Sequence, residues 1–180
     1  AVFALIATLS VRAGFRAEFV DTILGSNAHV TVYPAQSVDE EGRVVKGFTD
    51  YAERADRLRQ VPGVTAAEPL VRGQVMASAN GVARGADVYG ISPEGLRGIR
   101  RVGEGADAYG ELDRFGEGIA IGSGLARDLG VTVGDRLRLI SPDGMKTAFG
   151  TSPRVNAYEV VWVFTAGRYD IDQTRVYMPL

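Results

Sequence analysis

Cysteine is absent from the 180 residues, which excludes a disulfide framework, a thiolate metal site and a cysteine nucleophile. The absence selects no compartment, because chains of an oxidising space either pair their thiols or dispense with them, and cytosolic chains also do without. Histidine occurs once, as His29. A triad or a zinc site built on it would need partners that the sequence does not advertise, and its neighbours Val30, Val32 and Tyr33 favour a structural or surface role. No long run of like charge occurs, and 20 basic against 22 acidic residues leave a formal net charge of -2. A phosphate-neutralising surface is missing, so nucleic acid is not an expected partner. No glycine-rich loop ends in a Walker A lysine, which excludes ATP hydrolysis by that route. The apolar run Ala1–Val11 is also too short to cross a bilayer, which takes about 20 residues in a helix.

What is present is ordinary globular material, 46% hydrophobic and 23% charged, in a chain long enough to bury a core as one domain or one domain with two lobes. The 23 glycines amount to about 13% against a usual ~7% and predict many tight turns between short strands. Beyond Val11 the apolar character narrows to Val11, Phe15, Phe19 and Ile23, one face of a helix, with Gly25 as its stop. The spacing predicts one helix over Ala1–Leu24. Two readings of it stay open: the outer end of a membrane helix, or an amphipathic helix of a soluble core. Arg12 and Arg16 follow the apolar run rather than precede it, unlike a signal peptide. A start without Met inside this run and a stop at "VYMPL" read as a chain cut at both ends.

Further along, "HVTVYP" (29–34) reads as a strand stopped by Pro34, and the polar stretch after it as a loop with a short hairpin about Glu41–Gly42. Tyr51, Ala55 and Leu58 keep helical spacing, with Asp50 placed to cap the start and Pro62–Gly63 to end it. Two strand-like runs flank Asn80–Gly81, a strong hairpin signal. The segment 92–115 promises only short helical turns. "GIAIGSGLARDLGVTVGDRLRLI" reads strand, helix, strand, punctuated by Gly122 and Gly130, and the last 25 residues hold two more strands. The sum is an α+β fold, mixed but mostly antiparallel.

Motifs for chemistry fail on inspection. "IAIGSGLARDLG" has Arg127 where a dinucleotide fingerprint needs its third glycine, and Ile121 and Leu125 where a nucleophile elbow around Ser123 needs glycines. "YDID" offers Asp170 and Asp172 to a hard cation but lacks the rest of a calcium loop, so a solvated turn is the better reading. No catalytic residue, cofactor or metal is expected.

"GFRAEFVDTILGSNAHVTVY", "VPGVTAAEPLVRGQVM", "GIAIGSGLARDLGVTVGDRLRLISP" and "FGTSPRVNAYEVVWVFTAGRYDIDQTRVYMPL", in this order, resemble successive blocks of LolC/LolE-type lipoprotein-releasing permeases. The resemblance implies the periplasmic domain between the first two membrane helices of a MacB-like ABC transporter subunit in the bacterial inner membrane. Residues 1–26 would be the end of the first membrane helix and a stalk, and 27–180 the periplasmic domain, with a Porter-like lobe at about 45–118 and a Sabre-like remainder. It further implies a non-catalytic permease domain that works with a second permease subunit and a cytoplasmic ATPase subunit, carries lipoprotein substrate and docks a LolA-like carrier. Family members capture the carrier with a protruding hook. The matching loop here is Ser141–Pro153, with Met145 and Phe149 as apolar anchors, Pro142 and Pro153 stiffening its ends, and Arg138 and Arg154 flanking it. A MacB-like exporter or FtsX-like mechanotransmitter domain would share the architecture, and a soluble enzyme with an undetected site is the alternative from another class.

Overall fold

A computed structural model describes residues 2–24, 28–35, 37–38, 44–45, 47–105, 107–147 and 150–180, with side chains outside 21–24, 37–38, 44–45, 143–147 and 150–152. Two compact units emerge, one of 28–69 and one that combines 1–27 with 70–180. In the smaller, strands β1 (Ser37–Val38) and β2 (Val44–Val45) pair antiparallel on either side of the expected Glu41–Gly42 turn, which itself lies outside the described residues. Helix α2 (Tyr51–Arg59) follows at the expected spacing, with Ala55 buried. Asp50 sits at its N-cap position but does not cap it. Its carboxylate accepts from Arg54 Nε at 2.7 Å instead, a charge-assisted bond one helical turn away that outcompetes a neutral backbone donor. Residues 29–34 are not a strand, contrary to expectation. β-Branched side chains fit a pleated surface only where a neighbouring strand completes the ladder, and among the described residues none pairs here; Val30, Val32 and Tyr33 are exposed.

The larger unit opens with α1 (Val2–Leu24), close to the predicted span. Its apolar stripe does not enter the core: Phe15 is 71% and Phe19 54% exposed, and their rings stack on each other at 5.9 Å. Glu18 binds Arg101 at 2.7 Å. Among the described residues no helix is long and apolar enough to cross a membrane.

The rest is built on a seven-stranded mixed sheet. Strands β3 (Val71–Ala79) and β4 (Val82–Ile91) form the hairpin that Asn80–Gly81 announced, both turn residues lying at positive φ, 50° and 78°, as a primed turn requires. Then come β5 (Tyr109–Gly110), β6 (Ile119–Gly122), β7 (Arg136–Thr147), β8 (Gly150–Phe164) and β9 (Arg175–Pro179). The order is β5-β8-β6-β9-β4-β3-β7, and β7 also pairs with β8, so six of these strands form a closed circuit. Among the described residues only β4–β9 and β6–β8 run parallel.

Alternation along each strand sends one set of side chains inside the circuit and the other out. Inside lie Ala77, Val88, Ile121, Leu137, Leu139, Val163 and Val176, together with Leu125 and Leu129 of α5 (Ser123–Leu129), which ends at left-handed Gly130 as predicted. Outside, Phe164 and Tyr177 carry a second core with Leu96, Val102, Phe115 and Ile171. These four come from the short helices α3 (Pro93–Gly98) and α4 (Arg100–Gly103), a 3-10 turn (Leu112–Gly116) and α6 (Tyr169–Thr174). The "YDID" segment is thus the start of a helix rather than a turn.

Candidate partner-binding site

The β7–β8 hairpin carries the residues expected to meet a partner. Its base is fixed by burial of Leu137 and Leu139 and by pairing on both edges of β7: Ser78↔Arg138 and Met76↔Ile140 with β3, Arg138↔Ala157 and Ile140↔Val155 with β8. Past Ile140 the β3 ladder stops while β7 and β8 continue together, through Ser141↔Arg154 and on to Met145↔Ser152 and Thr147↔Gly150. The segment expected to be a loop is therefore a two-stranded arm. Hydrogen bonding between the strands satisfies backbone groups that a loop of this length would leave to water.

The ladder is irregular between Ser141 and Met145. Pro142 and Pro153 both fall in this irregularity, where no ladder bond asks for the N–H that proline lacks, so the two expected stiffening positions come together. Both are exposed. Arg138 and Arg154 are not brought together: an odd separation along paired strands puts Arg138 on the outer face and Arg154 on the inner. Both are exposed, and among the described residues neither meets an acidic side chain. Met145 lies in β7, with its side chain outside the described residues, and Phe149 lies outside them altogether. Beside Arg138 the outer face shows Met76 and Val155, 49% and 53% exposed, an apolar row completed by Ile140. Sequence reading missed this row because its members come from three strands, and only the register aligns them.

The alternative sites resolve into structure. Gly122 is forced by close approach, since a Cβ there would meet the backbone of Asp172, and Gly124 lies against the Gln173 amide. Ser123 accepts a hydrogen bond from Thr165 at 2.9 Å. Asp170 binds Arg168 at 2.7 Å, and this bond overcomes the upward push of desolvation to hold its carboxyl below the usual range. Asp172 accepts from the backbone N–H groups of Ala166 and Gly167, at 2.7 and 3.2 Å. Burial nevertheless holds its carboxyl above the ordinary value. Two carboxylates committed to different partners do not form a cation site, and among the described residues no three His, Asp or Glu gather as metal ligands do.

The whole chain, residues 1–180, matches the model of the MacB-like periplasmic core domain family. It is 31% identical over 180 residues to the lipoprotein-releasing system transmembrane protein LolC of Neisseria meningitidis serogroup B, and 29% identical over 177 residues to the LolC of Xylella fastidiosa. Each alignment takes in 96% of this chain, which spans 40% of the length of these relatives. Among solved structures it is similar to the periplasmic region of MacB from Actinobacillus actinomycetemcomitans, with a TM-score of 0.47 at 12% identity over 81% of this chain and 56% of that one. It is also similar to the extracellular domain of the ABC-type transporter YknZ from Gram-positive bacteria, with a TM-score of 0.41 at 18% identity over 71% and 60%.

Proposed function

The chain belongs to the family of MacB-like periplasmic core domains, and from that premise we propose that it is the periplasmic domain of an inner-membrane ABC transporter permease that docks a LolA-like carrier on the β7–β8 arm. In this reading the permease releases outer-membrane lipoproteins and passes them to the carrier. A second permease subunit and a cytoplasmic ATPase complete the complex, and the domain itself does no bond chemistry. Identity to LolC proteins along nearly the full chain supports the assignment.

The observation that carries it is the arm. Between Ser141 and Arg154 the two strands pair only with each other among the described residues, leaving their outer edges open to a partner. Its sequence adds Met145 and Phe149 as apolar anchors in an otherwise polar segment, the composition of a binding hot spot. Arg138 offers a cation on the outer face to acidic groups of the carrier, while Arg154 stands on the inner face, where a carrier that covers only the outer face does not meet it.

In the same reading α1 is the stalk that leads from the membrane, a role supported by its exposed apolar residues. The lobe proposed at about 45–118 shares residues 45–69 with the smaller compact unit, and the remainder forms the Sabre-like lobe. The test is a titration of this domain with purified LolA, repeated with Phe149→Ala. Saturable binding that the substitution abolishes supports the proposal; no binding by the unsubstituted domain overturns it.

A further inference from the structure

The circuit of strands is filled at one end by α5 and open at the other. At the open end, remote from the Asn80–Gly81 turn, Val75, Val88, Leu139 and Met178 wall a cavity of about 200 Å³. All four are inward-facing positions of the circuit, and Val88 and Leu139 are buried. The polar lining comes mainly from β8: Asn156 Nδ2 donates to the Tyr158 hydroxyl at 3.4 Å, and Arg154 stands beside them. The guanidinium of Arg154 meets no acidic side chain among the described residues, although the chain elsewhere pairs its arginines repeatedly.

An apolar slot whose mouth carries a cation that meets no acidic side chain among the described residues complements a molecule with an apolar tail and an anionic head. The size narrows the class further. Pockets for drug-sized ligands run from roughly 300 Å³ upward, so a slot of about 200 Å³ suits one unbranched chain better than a two-chain lipid. Met178 gives the wall an adaptable thioether against a flexible tail.

We propose that this pocket binds a single-chain carboxylate amphiphile, its tail between Val88, Leu139 and Met178 and its head on Arg154. The site stands on the geometry of the pocket alone and needs no carrier protein.

The test is a titration of the 180-residue chain with decanoate, and separately with decyltrimethylammonium, both below micelle formation, followed by the methyl signals of Val75, Val88 and Met178. Decanoate should shift these signals saturably and the cation should not. Arg154→Glu, at an exposed position and with folding checked by its unchanged methyl spectrum in the absence of ligand, should weaken decanoate binding by about tenfold, the worth of one charge-assisted hydrogen bond. Shifts confined to α1, equal binding of both head groups, or an unchanged affinity in Arg154→Glu would each overturn the assignment.

Discussion

Asn80 and Gly130, fifty positions apart, hold each other in place: the Asn80 side-chain amide donates to the Gly130 carbonyl at 2.8 Å and to the Leu129 carbonyl at 3.1 Å. Both residues occupy the left-handed region, at φ 50° and 63°. The hairpin turn of β3–β4 thereby satisfies carbonyls that the end of α5 leaves open. Asn80→Ala loses both hydrogen bonds and places a Cβ residue without a local polar partner at positive φ, so unfolding by urea should show a loss of about 1–3 kcal/mol. Asn80→Gly relieves the backbone and should lose less. Asn80→Asp turns an acceptor toward the negative end of the helix and should be the most damaging of the three. Equal losses for Gly and Asp would mean that the contact contributes nothing.

Gly122 offers a sharper test of why "IGSG" carries its glycines. A methyl group at Gly122 meets the Asp172 backbone, whereas one at Gly116 meets nothing within 4 Å. Gly122→Ala should therefore destabilise by about 1–3 kcal/mol, as overpacking does, and Gly116→Ala should stay near neutral in the same thermal melt. A Gly122→Ala protein as stable as its parent would show that the corner between β6 and α6 is loose enough to admit a methyl group beside Asp172.

Asp172 fixes a pH dependence whose sign follows from burial. Its carboxyl is held above the ordinary value of 3.8, so the folded chain binds that proton more tightly than the unfolded chain does. This contribution to stability is fully present below 3.8 and is lost as pH rises through the raised folded value. Asp170 has the opposite sign, its stabilisation being lost as pH falls. Asp172→Asn removes the first effect while keeping an oxygen that accepts from Ala166. Compared in denaturant melts, the variant should trail its parent most in acid and close the gap toward neutral pH. A gap that widens with pH would contradict the assignment.

Local chemistry wrote much of this fold plainly. Asn80–Gly81 specifies its turn, Gly130 its helix end, and the strand, helix, strand run from Ile119 to Ile140 follows periods of two and 3.6 without tertiary help. What sequence could not supply depends on partners distant along the chain. The run from His29 to Tyr33 has strand composition but, among the described residues, no neighbouring strand to pair with. The arm beyond Ser141 reads as a loop because its residues are polar, yet the facing strand supplies its hydrogen bonds. The pairing of β4 with β9, 88 residues on in the register Val88↔Val176, closes the circuit and creates the pocket, and no local pattern encodes it. For the candidate site, sequence proposes residues but not the faces they occupy: Arg138 and Arg154 look equivalent until the register separates them.

That separation yields the most discriminating prediction about carrier docking. An anchor such as Phe149 or Met145 entering a partner pocket should cost about 2 kcal/mol or more when truncated to Ala, the threshold of a hot spot, and should act mainly by speeding dissociation. The arginines should behave differently, because exposed charges at an interface rim chiefly set association rate and salt dependence. Were the arm gripped from both sides, Arg138→Glu and Arg154→Glu would slow association alike. Because they face opposite ways, a carrier that covers one face responds to only one of them, and the inner-face residue is already committed to the pocket mouth beside Val75 and Leu139. The expected result in surface-binding kinetics is therefore asymmetric, with Arg138→Glu slowing association several-fold at low salt and Arg154→Glu leaving it nearly unchanged. The reverse asymmetry would place the carrier over the pocket and make the two ligands competitors.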